Sequence, residues 1–245
     1  MEKHLYQSMY ESSKSHWWFK ARKNYIEALM KKYVTGIDNQ ILEIGIGTGA
    51  NIDILKEFGT LQGLDVSDES IRIINDKYPD IKIFNKKFPH ETIDEKFDLV
   101  CLFDVLEHIE DDSKAIEKVE QLLQDRGKLI ITVPAYQFLW SYHDEIHHHH
   151  RRYFKSELSN LLEKNNFKIN HSGYFNFLLF PLAFIQRAFS KYTVLKDYDP
   201  YKENFLNEFF FKIFNLESKF VNKYFPFGLS IAFVAEKKFS KEKLK

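Results

Sequence analysis

The chain has 245 residues, 44% of them hydrophobic, which is enough to build one α/β domain with a sizeable core. Lysine plus arginine and aspartate plus glutamate number 35 each, and this balance argues against a nucleic-acid partner. The single cysteine, Cys101, excludes an intrachain disulfide, and the residues after Met1 lack the apolar run of a signal peptide. We therefore expect a cytoplasmic protein.

The first 36 residues are rich in aromatic side chains and predict a helical cap. Two interpretations stay open. Rings this dense usually serve as packing, but they can also form a lid in which Tyr6 and Trp18 contact a substrate and Arg22 binds a carboxylate.

A short apolar strand then runs into three alternating glycines, Gly45, Gly47 and Gly49. Glycine spacing alone also satisfies the dinucleotide-binding fingerprint. Glu43, near the end of the strand, argues against that ligand, because a carboxylate opposes a pyrophosphate and suits a cation.

The second predicted strand ends at Asp65, twenty residues after Gly45. A carboxylate at this position can accept two hydrogen bonds from ribose hydroxyls, and Val66 lies beside it. The alternative, a helix N-cap, is served better by Ser67.

The segment from Glu43 to Gly49 resembles the first motif of class I S-adenosylmethionine (SAM)-dependent methyltransferases, (E/D)-x-G-x-G-x-G. The resemblance implies a Rossmann-like, doubly wound, seven-stranded sheet, mostly parallel with an antiparallel last strand. It also implies SAM as the cofactor and S-adenosylhomocysteine (SAH) as its product. Many relatives carry an acid after strand three that binds adenine, whereas this chain has Asn85-Lys86-Lys87 there.

The fourth predicted strand is an apolar run from Phe97 to Phe103. The same resemblance places the turn after it against the methionine part of SAM, so Phe103 and Asp104 join the expected cofactor site. Arg22 is expected to contact the cofactor as well. His108 either lines the transfer site or makes a structural hydrogen bond.

The segment after the fifth predicted strand carries a histidine run, His147 to His150, followed by Arg151 and Arg152. We expect a substrate loop in which His143, with Asp144 beside it, acts as general base while the two arginines clamp an anionic group. We expect His148 and His149 to be solvated loop residues. Adjacent histidines lack the spacing of a defined zinc site, so no metal is predicted.

Two segments, His16-Trp17-Trp18-Phe19 and the stretch from Pro134 to Tyr153, are similar to bacterial small-molecule methyltransferases associated with surface-glycan gene clusters. A single domain is expected, with a cap (1–36), a SAM-binding core (37–174), a helical aromatic insertion (175–226), and the last strand with a basic tail (227–245). Residues 175–189 are too short to span a bilayer. They fit a pocket wall, a dimer face, or an interfacial helix with Arg187, Lys191 and Lys196 toward headgroups.

The resulting hypothesis is methyl transfer to an oxygen of a small polar, anionic metabolite, phosphorylated or carbohydrate-linked. The protein would be a monomer or homodimer, with peripheral membrane contact through the insertion as an option. The runner-up is a lipid or quinone-like acceptor. A non-catalytic SAM-binding protein and an NAD-dependent oxidoreductase are the alternatives from other classes.

Overall fold

Seven strands form one sheet in the computed structural model, which describes residues 10–190, 206–221 and 223–239, the last five of the first range as backbone only. The strands are β1 (Asn39–Ile44), β2 (Gly59–Asp65), β3 (Lys82–Asn85), β4 (Phe97–Phe103), β5 (Leu123–Pro134), β6 (Phe167–Phe175) and β7 (Ser230–Lys237).

The strand order is β3-β2-β1-β4-β5-β7-β6. The first five strands in this order pair in parallel, and β7 lies antiparallel to both β5 and β6. The order reverses between β1 and β4, where doubly wound sheets bind ligands beyond the carboxyl ends of the strands. The predicted fold, including its antiparallel last strand, is confirmed.

Helices cover both faces of the sheet. They are α1 (Trp17–Tyr33), α2 (Ile52–Leu55), α3 (Asp68–Lys77), α4 (Asp112–Leu122), α5 (Tyr142–Ile146), α6 (Lys155–Lys164), α7 (Phe180–Ser190) and α8 (Asn207–Ser218). Two clusters of buried apolar side chains result, one on each side of the sheet. The sheet is apolar on both faces, as expected for parallel strands covered by helices.

The N-terminal helix α1 packs against α8 and one face of the sheet. The Trp17 ring lies 5.5 Å from the Phe210 ring, and the Trp17 backbone N–H donates to Asn207 Oδ1 at 2.7 Å. Phe175, at the end of β6, stacks on Tyr25 of α1 at 4.4 Å and on Phe214 of α8 at 6.0 Å. Packing therefore accounts for most of the aromatic side chains of α1 that the structure describes.

The start of the segment between β6 and β7 is held by hydrogen bonds to a buried glutamate. Glu217 of α8 is 1% exposed and accepts hydrogen bonds from the backbone N–H groups of Phe177 and Leu178. The following helix, α7, exposes Leu182 and Ile185. Within the described residues, no helix is long and apolar enough to cross a membrane. Three predictions, on Tyr6, on Lys191 with Lys196, and on the end of the basic tail, lie outside the described residues.

We predict that Phe175→Ala lowers the free energy of unfolding by about 3–5 kcal/mol, because it leaves a cavity between α1, α8 and the sheet. Urea denaturation monitored by circular dichroism measures this effect. The matched control is Phe209→Ala, since Phe209 is 57% exposed and its loss should change stability by less than about 0.5 kcal/mol. Equal losses in both variants would contradict the packing described for Phe175.

Candidate active site

The loop after β1 depends on glycine for both conformation and space. Gly45, Gly47 and Gly49 have φ of 69°, 56° and 85°, a region that residues other than glycine rarely adopt. A Cβ at Gly45 would lie 2.5 Å from Val105 Cγ2, and one at Gly49 would lie 2.6 Å from Ile52 Cδ1. Gly47 is different, because a Cβ built there would lie no closer than 3.9 Å to another atom, the backbone oxygen of Gly45. The backbone at Gly47 is therefore open to a ligand.

Asp65 closes this loop onto β2. Its carboxylate accepts hydrogen bonds from the Gly47 N–H at 2.8 Å and the Ser67 N–H at 2.9 Å. Burial raises the pKa of Asp65, and these backbone bonds oppose that rise. Each carboxylate oxygen can accept a further hydrogen bond, as the predicted ribose role requires. Val66, beside it, is 61% exposed at the same edge.

Glu43 lies beneath the loop and is only partly satisfied. The side chain is 1% exposed, and its Oε1 accepts a hydrogen bond from Asn51 Nδ2 at 2.7 Å. Its Oε2 is buried with no hydrogen-bond partner among the described residues. Burial raises the pKa of Glu43 to about 7. An unpartnered buried carboxylate oxygen is costly, and a cationic ligand or an N–H donor would relieve that cost.

Arg22 of α1 reaches the carboxyl end of β4. Its Nη2 lies 2.5 Å from Asp104 Oδ2, and its guanidinium lies over the Trp18 ring at 5.0 Å and the Phe103 ring at 5.8 Å. Asp104 has a φ of 55°, so it turns the chain sharply at the strand end. The carboxylate that Arg22 binds in the structure is therefore that of Asp104, and contact of Arg22 or Trp18 with a ligand stays a prediction.

Asp144 and Arg152 bind each other, and the roles that the sequence suggested for them in catalysis and substrate binding stay predictions. Arg152 Nε and Nη2 donate to the two oxygens of Asp144 at 2.8 and 3.0 Å, and both side chains are almost fully buried. Burial alone would raise the pKa of Asp144, but the bonds from His149 and Arg152 hold it well below its usual range. Arg152 is thus no free anion clamp. The histidine bonded to Asp144 is His149, at 2.9 Å, whereas the sequence paired Asp144 with His143.

Arg151 is also paired, although it faces open space. Its Nη1 lies 2.9 Å from Asp112 Oδ2. The side chain lines a cavity of about 390 Å³, and Asp112 and Glu157 contribute carboxylates to the same lining. The positive charge available to an anionic substrate is therefore smaller than the sequence suggested.

Two side chains that the sequence left without a role, Glu107 and His149, meet His108 at the end of β4. Glu107 is 1% exposed, and its Oε2 has no hydrogen-bond partner among the described residues. Burial and the Asp104 carboxylate raise the pKa of Glu107 well above its usual range. The rings of His108 and His149 lie edge to face at 4.6 Å. His149 is only 9% exposed, so it is not the solvated residue expected, whereas His148 is exposed.

Aromatic rings extend the same edge of the sheet beyond β5 and β6, and we call them the aromatic wall. They are Tyr136, Phe138, Phe154, Tyr174, Phe180 and Phe184. Tyr136 stacks on Phe138 at 5.0 Å and on Tyr174 at 5.3 Å. Phe138 and Phe184 are 54% and 46% exposed, so the wall presents ring surface to solvent.

Two curated relatives match part of the chain. Both are uncharacterized proteins of Methanocaldococcus jannaschii. MJ0638 is 33% identical over 108 residues, which cover 44% of this chain and 46% of the relative. MJ1123 is 35% identical over 114 residues, covering 45% of this chain and 51% of the relative. The chain thus spans about half the length of the curated relatives it matches.

Solved structures share the fold at low sequence identity. A SAM-dependent methyltransferase from Clostridium acetobutylicum aligns with a TM-score of 0.60 and 14% identity, covering 89% of this chain and 92% of the other. Magnesium protoporphyrin IX methyltransferase from Synechocystis, with SAH bound, gives 0.55 and 14%, covering 89% and 83%. The [4+2]-cyclase SpnF gives 0.57 and 16%, covering 90% and 81%, so the fold alone does not fix the reaction.

A methyltransferase domain family matches residues 18–172, well over half of the chain. The match runs from α1 to β6 and includes the glycine loop, Asp65, Asp104 and the histidine run. The sequence prediction of a methyltransferase is confirmed at this level, and the chain belongs to the methyltransferase domain family.

Proposed function

We propose that this chain is a SAM-dependent methyltransferase that methylates an oxygen atom of a small molecule containing a ring. The observation that carries the proposal is Glu43, a buried carboxylate with one unpartnered oxygen behind a glycine loop that closes onto Asp65. SAM carries an ammonium, a sulfonium and no phosphate, so it fits this acidic site, whereas the pyrophosphate of a dinucleotide does not. Solved neighbours with SAH bound support the same cofactor.

The residues that would hold SAM form two groups, one for its ribose and one for its positively charged end. Asp65 keeps acceptor capacity for the ribose hydroxyls, and the open backbone at Gly47 allows close approach. Glu43 and Asp104 supply negative charge for the cationic end, while Arg22 orients Asp104. When bound, SAM supplies a methyl group activated by its sulfonium, and alignment of the acceptor accounts for most of the remaining acceleration.

Oxygen is the favoured acceptor atom because of the groups that gather after β4. A hydroxyl must lose its proton when it is methylated, and imidazole and carboxylate groups can accept or polarise that proton. Glu107, His108 and His149 lie together at this edge. His143 stays a candidate general base, although Asp144, the carboxylate expected beside it, is bonded to His149 and Arg152.

The aromatic wall supports an acceptor with a ring. Exposed faces of Phe138 and Phe184 offer apolar surface of the kind that lines small-molecule sites. Arg151 and Arg152, which the sequence suggested as a clamp for an anion, are both paired with carboxylates. We therefore propose that the acceptor molecule contains a ring, and we do not propose that it carries a negative charge. A carbohydrate-linked precursor and a quinone-like acceptor both satisfy it.

The function is tested first by calorimetric titration with SAH, with NADH as the comparator. We expect micromolar binding of SAH and no heat with NADH, and the reverse result would overturn the cofactor assignment. Sugar-nucleotide and quinol panels are then incubated with SAM and examined by mass spectrometry for the gain of one methyl group. Turnover of quinols with co-sedimentation on lipid vesicles would select the lipid-like acceptor. SAH binding without turnover on either panel would favour a non-catalytic SAM-binding protein.

We predict that Asp65→Ala weakens SAH binding by about 1–3 kcal/mol, because it removes charged hydrogen bonds to ribose and leaves their partners unpaired. Calorimetry measures the change. Asp53→Ala, which removes an exposed acid at the start of α2, is the matched control and should bind SAH normally. Unchanged affinity in Asp65→Ala would exclude Asp65 from the cofactor site.

We also predict that SAH affinity depends on pH through Glu43. With a pKa of about 7 in the free protein, Glu43 must lose a proton before it can attract the ammonium group. Affinity should therefore be nearly constant above pH 8 and fall by about tenfold between pH 8 and pH 6. Glu43→Gln should bind more weakly at pH 8 and lose this pH dependence. A wild-type profile that is flat from pH 6 to pH 8 would contradict the role of Glu43.

In the free protein, the same shift makes ionised Glu43 destabilising. A carboxyl whose pKa is higher in the folded than in the unfolded state binds more protons when folded, so stability falls as pH rises between the two values. We expect a loss of about 2–3 kcal/mol between pH 5 and pH 8, measured by urea denaturation without ligand. Glu43→Gln should lack this component, and an identical pH dependence in both proteins would refute the assignment.

A further inference from the structure

Glu107, His108 and His149 form a cluster that resembles a metal centre in composition and geometry. The 3-10 turn after β4, Leu106–His108, supplies Glu107 and His108, and the histidine run supplies His149. One ligand atom from each residue lies within 4.8 Å of the other two. Ligand atoms around one ion lie about 3–4 Å apart, so small side-chain rotations would close the site.

Glu107 is the first independent indication of a ligand. Its Oε2 is buried without a hydrogen-bond partner among the described residues, and the side chain is 1% exposed. Arg22 and Arg152, the two guanidiniums whose charge acts on Glu107, each form an ion pair with another carboxylate, Arg22 with Asp104 and Arg152 with Asp144. A buried carboxylate oxygen in this position calls for a cation.

His149 is oriented as metal-binding histidines are. Ligating imidazoles almost always donate their other ring N–H to a carboxylate or a backbone carbonyl. Nδ1 of His149 bonds Asp144, which Arg152 holds in place, and this leaves Nε2 of His149 free to coordinate. The His150 N–H also donates to the Glu107 carbonyl at 2.7 Å, which ties the histidine run to the turn.

We propose that Glu107, His108 and His149 bind one divalent transition-metal ion of the zinc or manganese class. Two imidazoles and one carboxylate suit such an ion, whereas Mg²⁺ prefers oxygen ligands alone. Three protein ligands leave at least one coordination position open, as in catalytic rather than structural sites. His108 is exposed, so this position is open to solvent and to a small molecule.

The ion would sit where the acceptor is expected, and this step rests on the proposed function. A coordinated hydroxyl loses its proton to a base or to solvent more readily, and its oxygen is held in one place. That oxygen then forms a bond to the methyl carbon of SAM while the bond from this carbon to sulfur breaks, and the electron pair of the broken bond stays on the sulfur of SAH. The ion would thereby assist methylation of oxygen. Metal binding itself does not depend on that function, so the two can fail separately.

The test uses the full chain after removal of metal by a chelator. Zn²⁺ is titrated by calorimetry, and Co²⁺ is followed by its visible absorption, which reports imidazole coordination. We expect one ion per chain, with Mg²⁺ at equal concentration unable to compete. His149→Ala and Glu107→Gln should each weaken Zn²⁺ binding by on the order of 100-fold or more. Circular dichroism and SAH binding show whether each variant is folded. If one variant does not fold, the other still tests the site.

The matched control is the double variant His148→Asn/His150→Ala, which removes the exposed histidines of the same run and leaves the cluster intact. Asparagine is chosen because His148 has a φ of 56°, which asparagine tolerates. This variant should bind Zn²⁺ like the wild type. Loss of binding in the control with retention in folded His149→Ala would assign the ion to the exposed histidine run and overturn the proposal. No Zn²⁺ or Co²⁺ binding by the wild type, with SAH binding intact, would overturn it while leaving the proposed function in place.

Discussion

The burial of carboxylates at the carboxyl edge of the sheet is the constraint on which the site depends. A buried charge is tolerated only if it is paired or accepts hydrogen bonds. Asp65 is compensated by backbone N–H groups, and Asp104 by Arg22. Asp144 is compensated by two hydrogen bonds from Arg152. These pairs do more than offset burial, because each joins two segments of the chain and so fixes the shape of the edge.

Two further acids are compensated only in part. Glu43 keeps one oxygen and Glu107 keeps one oxygen without a hydrogen-bond partner among the described residues. The burial of each also raises its pKa. Unsatisfied buried polar atoms are uncommon in folded proteins, and each of them calls for an explanation, of which a bound ligand is one. In this chain the two positions coincide with the proposed cofactor site and the proposed ion site.

The aromatic side chains contribute the supporting framework. Phe175, stacked on Tyr25 of α1 and on Phe214 of α8, links the N-terminal helix to the segment before β7. This packing carries Arg22 to the end of β4, where it meets Asp104. An apolar contact on the face of the sheet thus sets the position of a charge at its edge. The aromatic wall continues the edge past β5 and β6 and leaves ring surface exposed.

The sequence by itself determined the strand pattern, the glycine loop and the acids Glu43 and Asp65, because these signals are local. Strand periodicity, a left-handed backbone and a charge at a strand end all follow from neighbours within a few residues. Only the tertiary structure decided how the other charges pair. Arg22 is far from Asp104 in the sequence, and His149 is far from Glu107. No sequence spacing predicts that either pair comes together. Such contacts are set by the packing of helices and loops on the sheet, where a shift of one residue would turn the side chain to another partner.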